Sequence, residues 1–238
     1  MPGSGLFWGD CFDILPTIDD RSIDLLFADM PYGVTSNPWD RKLDLNRLWP
    51  MLVRILKPHA ACLFTASNGF EFELYNSNPS WYRYKWVWNK NTSGSFLHAK
   101  NRPLNCTEDI LVFSSGKPYY YPQMEERGKV RKKGGFSSST NYSGVIPTVS
   151  YNNLYYPKNL INISGQSRKG KIHPTQKPLE LLEYLISTYS QPGETVLDFC
   201  MGSGSTGLAC RNLERNFVGI ENDLDFFLKA AEILDQNV

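Results

Sequence analysis

Thr195-Val196-Leu197-Asp198-Phe199-Cys200-Met201-Gly202-Ser203-Gly204-Ser205-Thr206-Gly207 decides how the rest of the chain is read. Thr195 to Phe199 is apolar and β-branched apart from Asp198 at its carboxyl end, the composition of a buried strand. Gly202 and Gly204 supply a backbone that turns sharply and lets a ligand approach closely. Ser205 and Thr206 are suited to cap a helix running through Leu208 to Leu213. A second strand spans Asn216 to Ile220 and ends in Glu221. The result is one βαβ unit, which binds a nucleotide-like ligand at the carboxyl ends of its strands.

Gly202, Gly204 and Gly207 satisfy the G-x-G-x-x-G dinucleotide fingerprint, and Glu221 sits where a ribose-binding acid would. Asp198 argues against a dinucleotide, because a carboxylate beside the loop repels a pyrophosphate. It suits a cation, and the sulfonium of S-adenosylmethionine is one. A nicotinamide oxidoreductase rests on the glycine fingerprint alone, and a glycine turn without a ligand leaves the ordered strand, loop, helix, strand and acid unexplained.

The remaining chain sets the bounds. Its 238 residues form one large domain or a domain with an insertion, and 41% hydrophobic content is enough for a full core. No run of about 18 apolar residues marks a membrane span. The first residues lack the charged-then-apolar pattern of a signal peptide. Cys11, Cys62, Cys106, Cys200 and Cys210 are scattered without a C-x-x-C pair, so neither zinc nor a disulfide framework is indicated, and a reducing cytosol is expected.

The net charge of +1 hides an asymmetry. Arg127 to Leu179 holds no Asp or Glu and ten basic residues: Arg127, Lys129, Arg131, Lys132, Lys133, Lys158, Arg168, Lys169, Lys171 and Lys177. Taking these ten from the 25 Lys and Arg leaves 15 against all 24 acids, a net of −9 elsewhere. Such a split points to a polyanion met by one face.

In chain order, Gly5 to Gly9 reads as a short strand ended by Asp10, and Ile23 to Ala28 as a buried strand stopping at Asp29-Met30-Pro31-Tyr32-Gly33. A carboxylate at a strand end, a rigid turn and an aromatic make an active-site arrangement. Val34 to Asp40, with Trp39, reads as a mobile loop over the site. Leu43 to Leu56 has helical spacing and stops at Pro58. Strands follow at Ala60 to Thr65, Lys85 to Asn89 and Ile110 to Phe113, with a helix from Gly69 to Tyr75. Ser114 to Lys171 breaks the pattern: it is rich in Gly, Ser, Asn, Pro and Tyr and lacks helical periodicity, so it reads as an insertion. Its tyrosines interleave with basic residues, a mixture suited to phosphate contacts plus stacking, and equally to a small tyrosine-rich core with a basic rim. His173-Pro174-Thr175-Gln176-Lys177-Pro178 returns to order, and Pro178 fits the first turn of a helix.

Taken together, Gly9-Asp10, Asp29 to Tyr32, His173 to Pro178, Asp198 to Gly204 and Glu221 resemble the DNA amino-methyltransferases, which methylate adenine N6 or cytosine N4. The chain is most similar to the permuted group whose D-P-P-Y-type motif precedes the cofactor motif. The resemblance implies an α/β, Rossmann-like methyltransferase fold: a seven-stranded, mostly parallel sheet with one antiparallel strand, plus a target-recognition insertion. It divides the chain into a catalytic half at 1–113, a basic, tyrosine-rich target-recognition insertion at 114–171 and a cofactor-binding half at 172–238.

The resemblance assigns catalysis to Asp29, Met30, Pro31 and Tyr32. Asp29 and the carbonyl of residue 30 accept the two amino hydrogens, and Tyr32 stacks on the flipped base. S-adenosylmethionine would be held by Asp10, Cys11, Asp29, His173, Thr175, Gln176, Lys177, Asp198, Cys200, Gly202, Gly204, Ser205, Glu221 and Asn222. Nucleic acid would meet Trp39, Arg127, Lys129, Arg131, Lys132, Lys133, Arg168 and Lys169. No metal is required. The expected partners are double-stranded DNA, a second copy of the chain and a cognate restriction endonuclease, with no membrane. The site of action would be the cytoplasm, or the host cytoplasm for a phage-borne chain. Two positions depart from the family: Met30 replaces the first proline of D-P-P-Y, and Cys200 replaces an aromatic of F-x-G-x-G. An Asp at the first catalytic position suggests adenine. N4 of cytosine and a catalytically dead DNA-binding relative are the alternatives within the family.

Overall fold

The computed structural model describes residues 5–33, 41–93, 96, 99–133, 149–165 and 177–235. The strands are β1 (Gly5–Trp8), β2 (Ile23–Ala28), β3 (Leu56–Ala66), β4 (Tyr82–Asn89), β5 (Thr107–Phe113), β6 (Glu125–Lys133), β7 (Ser150–Tyr155), β8 (Leu160–Asn162), β9 (Thr195–Asp198) and β10 (Asn216–Glu221). The helices are α1 (Cys11–Ile14), α2 (Leu45–Ile55), α3 (Phe70–Ser77), α4 (Leu179–Tyr189), α5 (Ser205–Asn212) and α6 (Leu224–Asp235). No helix among the described residues is long and apolar enough to cross a membrane.

Eight strands form one sheet in the order β1-β10-β9-β2-β3-β5-β4-β8. Only β5 runs against the rest, pairing antiparallel with both β3 and β4. All seven expected strands are present. The eighth, β8, lies inside the segment read as an insertion and pairs parallel with β4 through Val87↔Leu160 and Trp88↔Ile161. Three residues, with only Ile161 buried, are too short to leave a periodic signal.

Each face of the sheet is covered by helices. On one face α2 buries Leu45, Leu48, Trp49, Leu52 and Ile55, a helical stripe packed with Leu26, Ala28, Cys62, Phe64 and Phe113. Asp44 caps this helix, accepting from the N–H groups of Asn46 and Arg47 at 3.0 and 3.3 Å. On the other face Leu181, Leu182, Leu185, Ile186 and Tyr189 of α4 pack with Leu25, Phe27, Ala61, Leu63, Ile110, Val112 and Val196. Helices on both faces of a mostly parallel sheet give the expected α/β class.

The chain order creates a switch point. From β2 the chain continues to β3 on one side, and from β9 it continues to β10 on the other, while β2 and β9 are neighbours through Leu25↔Val196 and Leu26↔Leu197. The crevice beyond the carboxyl ends of β2 and β9 is where open α/β sheets bind ligands.

A second compact unit spans Pro122–Lys158, narrower than the insertion read at 114–171. The described residues up to Tyr121 and from Asn159 onward belong with the main sheet. In the small unit β6 and β7 form an antiparallel ribbon. Its register jumps from Glu126↔Leu154 to Arg131↔Asn152, so residues 127–130 bulge opposite Asn153 alone, turning through Gly128 at φ +62°.

Candidate active site

The alternation of side chains along a strand places the chemistry. Asp29 follows Leu25 and Phe27 in phase, Thr65 follows Ala61 and Leu63, Glu108 precedes Ile110 and Val112, and Asp198 follows Val196. All four therefore point to the α4 side of the sheet. β5 runs antiparallel, so its amino end and Glu108 lie at the same edge as the carboxyl ends of β2, β3 and β9. Met30 is out of phase with Asp29. It packs into the opposite core, 2% exposed.

Asp29 is held by three donors. Tyr32 Oη and the Thr65 hydroxyl donate to Oδ1, the former at 3.0 Å, and Lys177 Nζ donates to Oδ2 at 2.8 Å. Tyr32 Oη also lies 2.9 Å from Thr65 Oγ1 and 3.4 Å from Glu108 Oε1. Its ring stacks on Phe70 at 5.0 Å. Lys177 Nζ simultaneously reaches Glu108 Oε1 at 2.9 Å, and Lys90 Nζ lies 3.4 Å from Glu108 Oε2. The Lys177 and Glu108 side chains are 10% and 8% exposed. Burial works against the Lys177 charge, and the attraction of Asp29 and Glu108 more than offsets it, so the ammonium is held above the ordinary lysine range. Burial, then the charges of Asp29 and Glu108, raise the Tyr32 phenol and keep it a neutral donor.

Asp198 and Glu221 form a second acidic group at the ends of β9 and β10. Asp198 is 3% exposed and accepts from Cys200 N–H at 3.1 Å and Thr206 Oγ1 at 2.6 Å. Burial raises its carboxyl to about 7, against those two hydrogen bonds, and the charges of Asp29 and Glu221 add to the rise. Glu221 accepts from Gly202 N–H and Asp223 N–H, each at 2.8 Å, and burial raises it as well. Gly9 N–H donates to Glu221 O at 2.9 Å, which sets Asp10 beside this strand end. The Asp10 carboxylate itself caps α1 through Phe12 N–H at 2.8 Å. Cys11 is buried, its thiol pushed up to about 12 mainly by burial. Asn222 is exposed, and its carbonyl accepts from the Trp8 indole at 3.2 Å.

The glycine loop departs from its reading in one respect. Gly204, at φ +79°, caps α5, and neither Ser205 nor Thr206 does. The Thr206 hydroxyl is drawn to Asp198, the stronger acceptor. Ser205 Oγ is buried at the head of α5 with no partner among the described residues. An orphaned hydroxyl at a helix amino terminus, beside a buried acid held by neutral donors, fits a ligand that carries both an anionic and a cationic group.

The family model of DNA methylase matches residues 23–232. The chain belongs to this DNA methylase family. Among relatives of the methylase, it is 25% identical to the type II methyltransferase M1.MboII of Moraxella bovis, with 95% of each chain covered. It is 26% identical to type II methyltransferase M.HpaI of Haemophilus parainfluenzae, over 97% of this chain and 74% of that one. Among solved structures, the M1.HpyAVI–SAM complex superposes with a TM-score of 0.64 at 26% identity, covering 97% and 98% of the two chains. The cytosine-N4-specific PvuII methyltransferase superposes at 0.68 with 17% identity, a likeness of fold, over 98% and 87%.

The methylase structure brings together Asp29, Tyr32 and Lys177 in one cluster and Asp198, Cys200, Gly202 and Glu221 in a second, coupled to the first through the Asp29 and Asp198 charges. Trp39, Arg168, Lys169, His173, Thr175 and Gln176 lie outside the described residues. Arg127, Lys129, Arg131, Lys132 and Lys133 all fall on β6. There Lys133 Nζ sits 3.4 Å above the Tyr155 ring, and Arg131 donates to Tyr155 Oη at 2.7 Å. Thr65, Lys90 and Glu108 belong to the first cluster and are absent from the residues singled out by sequence. Glu108 was readable in principle: a carboxylate in strand phase with Ile110 and Val112 is a charge aimed at a core.

Proposed function

We propose that this methylase transfers the methyl group of S-adenosylmethionine to N6 of an adenine flipped out of double-stranded DNA. The observation that carries the reading is the pair of strand-end acids at the switch point: Asp29 just past β2, bound by donors, and Asp198 at the end of β9, buried and held up near neutrality. The second suits a sulfonium or ammonium, and the first suits an amino group. When bound, the cofactor supplies an electrophilic methyl carbon on sulfur. Asp198 and Ser205 would hold its methionine end, Glu221 the ribose hydroxyls and Asp10 the adenine.

The lone pair of an adenine amino group is delocalised into the ring. Asp29 Oδ1 accepts one amino hydrogen and the Met30 carbonyl the other, which favours a tetrahedral nitrogen with its lone pair free to attack. With the cofactor bound, its methyl carbon would pass to this nitrogen as the carbon–sulfur bond breaks with its electrons left on sulfur, and the nitrogen would shed its one excess proton by way of Asp29 to solvent. Tyr32, backed by Phe70, stacks on the base, which leaves the duplex to reach this site. Adenine rather than cytosine is favoured by Asp29 at the first motif position. Expression in methylation-deficient cells, followed by nucleoside analysis, should yield N6-methyladenine; N4-methylcytosine would overturn the base assignment.

The β6–β7 ribbon is the proposed DNA face. A two-stranded ribbon fits a major groove, and its bulge carries Arg127, Lys129 and exposed Val130. Replacing Arg131, Lys132 and Lys133 by Ala should weaken DNA binding and lower its salt slope by at most about 0.9 per lost phosphate contact, leaving cofactor affinity unchanged. DNA binding indifferent to the triple change removes the ribbon from this role. A homodimer, a cognate restriction endonuclease and action in the cytoplasm go with the same reading, and light scattering with and without DNA tests the first.

A further inference from the structure

The first cluster contains more charge than methyl transfer requires. Asp29 and Glu108 are two carboxylates set against one ammonium, Lys177 Nζ, at 2.8 and 2.9 Å. A second ammonium, Lys90, touches only the far oxygen of Glu108, at 3.4 Å. Asp29 faces Tyr32 from the turn after β2, Thr65 from β3 and Lys177 from the approach to α4, with Glu108 of β5 on the other side of that shared lysine. It also acts electrostatically on Asp198 of β9 and on Cys200 just beyond. Of these neighbours only Lys177 is a cation bonded to Asp29 itself. Its partners are acids, whereas a lysine serving the cofactor carboxylate would need its ammonium turned to an anion outside the protein.

We propose that Lys177 and Glu108 are positioning residues for methyl transfer: Lys177 keeps Asp29 an ionised acceptor against the charge of Glu108, and Glu108 retains the Lys177 ammonium when the target amino group arrives at Asp29. The proposal rests on the methyl-transfer reading above. Two carboxylates that flank one ammonium in a site closed to bulk water, as part-buried Asp29 and buried Glu108 do, tend to share a proton once that cation is removed. A protonated Asp29 can no longer serve both as acceptor for the amino hydrogen and as the sink for its proton. Glu108 explains why the ammonium does not follow Asp29 out toward the substrate: half of its bonding stays in the wall of the site. The Tyr32 and Thr65 hydroxyls on Oδ1 are neutral donors that an amino N–H can replace, so the oxygen offered to the base is Oδ1 while Lys177 keeps Oδ2.

The test uses the full chain as wild type, Lys177→Met, Glu108→Gln and the double variant. Methyl transfer into DNA is measured from pH 6 to 9, with cofactor affinity by calorimetry. Lys177→Met should lose roughly a hundredfold in rate at pH 7 and regain it with a slope approaching tenfold per pH unit as the shared proton is lost. The double variant, with no second carboxylate, should recover at least about tenfold over Lys177→Met at pH 7. Cofactor affinity should stay within about threefold throughout. Melting temperature of the ligand-free chain gives a reading without turnover. It should fall with rising pH more steeply in Lys177→Met than in wild type or the double variant, because the paired acids must ionise inside the fold.

A pH-independent loss that the double variant does not relieve would overturn the proposal, as would a loss appearing wholly as weaker cofactor binding. If Lys177→Met does not fold, Glu108→Gln decides: it should lower the maximal rate without moving the pH profile or cofactor affinity, and an unchanged maximal rate excludes Glu108. A wild-type chain inactive on unmethylated DNA would instead remove the proposed function, while the melting data would still report whether Lys177 separates the two acids.

Discussion

Asp29 and Asp198 end neighbouring parallel strands and point to the same side of the sheet, yet their surroundings are opposite. Asp29 is bonded to an ammonium and two hydroxyls. Asp198 is more deeply buried and receives only a backbone amide and a threonine hydroxyl, so its carboxyl rises to about 7. A buried acid held by neutral donors suits a cationic group, whereas an acid already compensated by lysine suits a neutral N–H group. In the proposed function this difference would distinguish the cofactor side of the reaction from the substrate side, through what surrounds two identical side chains.

The largest effect expected from this contrast is on Asp29. Asp29→Ala should cut methyl transfer by about 10²–10³, in line with losing one preorganised group from a transition state, and leave S-adenosylmethionine and DNA binding in place. Incorporation of labelled methyl into DNA measures it. Full activity would break the assignment, and equal losses of rate and cofactor affinity would erase the distinction between the two acids.

Asp198→Asn should do the reverse. At pH 8 cofactor affinity should weaken by roughly ten- to a hundredfold, because a buried charge–charge contact becomes a dipole contact. Below pH 6 the wild-type acid is itself protonated, so the two proteins should converge, with wild-type affinity falling about tenfold per unit below pH 7. The sign in the ligand-free protein is opposite. The folded carboxyl, at about 7, lies above its ordinary 3.8, so the folded chain holds more protons than the unfolded one between those values. This group therefore lowers stability as pH rises through that window, and the Asn variant should lack its contribution. Calorimetry across pH checks both; parallel affinity curves for the two proteins would refute the cation-site reading.

A smaller effect separates hydrogen bonding from burial. Thr206→Val keeps the shape and removes the 2.6 Å donor to Asp198 Oδ2. A hydrogen bond to a charged group contributes about 1.5–3 kcal/mol, so the pH at which cofactor binding falls away should move up by about one to two units. Affinity at pH 7 should drop about tenfold and return above pH 9. A drop that persists at high pH would mean that Thr206 acts through packing.

The sheet was legible because five of its parallel strands are apolar runs ending in a turn, and each acid at those ends interrupts such a run. Asp10, Asp29, Asp198 and Glu221 could be picked out by that interruption alone. The cap of α5 was misread because serine and threonine after a glycine look like caps, whereas in the fold a buried carboxylate competes for the Thr206 hydroxyl. Glu108 and Lys90 escaped because their roles depend on the antiparallel β5 and its neighbour β4 delivering them to the edge where the parallel strands end, a matter of topology. Lys177 was associated with the cofactor through its motif. Its ammonium is bonded to Asp29, 148 residues away in the chain.

The smallest expected effect concerns Met30, where the family pattern has proline. Its carbonyl, the proposed second acceptor, survives the change Met30→Pro. Residue 30 precedes Pro31 and is already biased toward extended backbone, which proline also adopts. The side chain is another matter. Met30 falls in phase with Leu26 and Ala28 and is packed in the core on the α2 side, 2% exposed. Proline fills less of that space, so Met30→Pro should destabilise the chain by about 2 kcal/mol, at the low end for truncating a buried methionine. For a chain of this size that is a drop of roughly 4–8 °C in melting temperature. Methyl transfer at 25 °C should stay within about tenfold of wild type, because neither acceptor is lost. A hundredfold fall in rate with cofactor binding intact would show that the methionine side chain, from the opposite face of the sheet, is what aims Asp29 at the base.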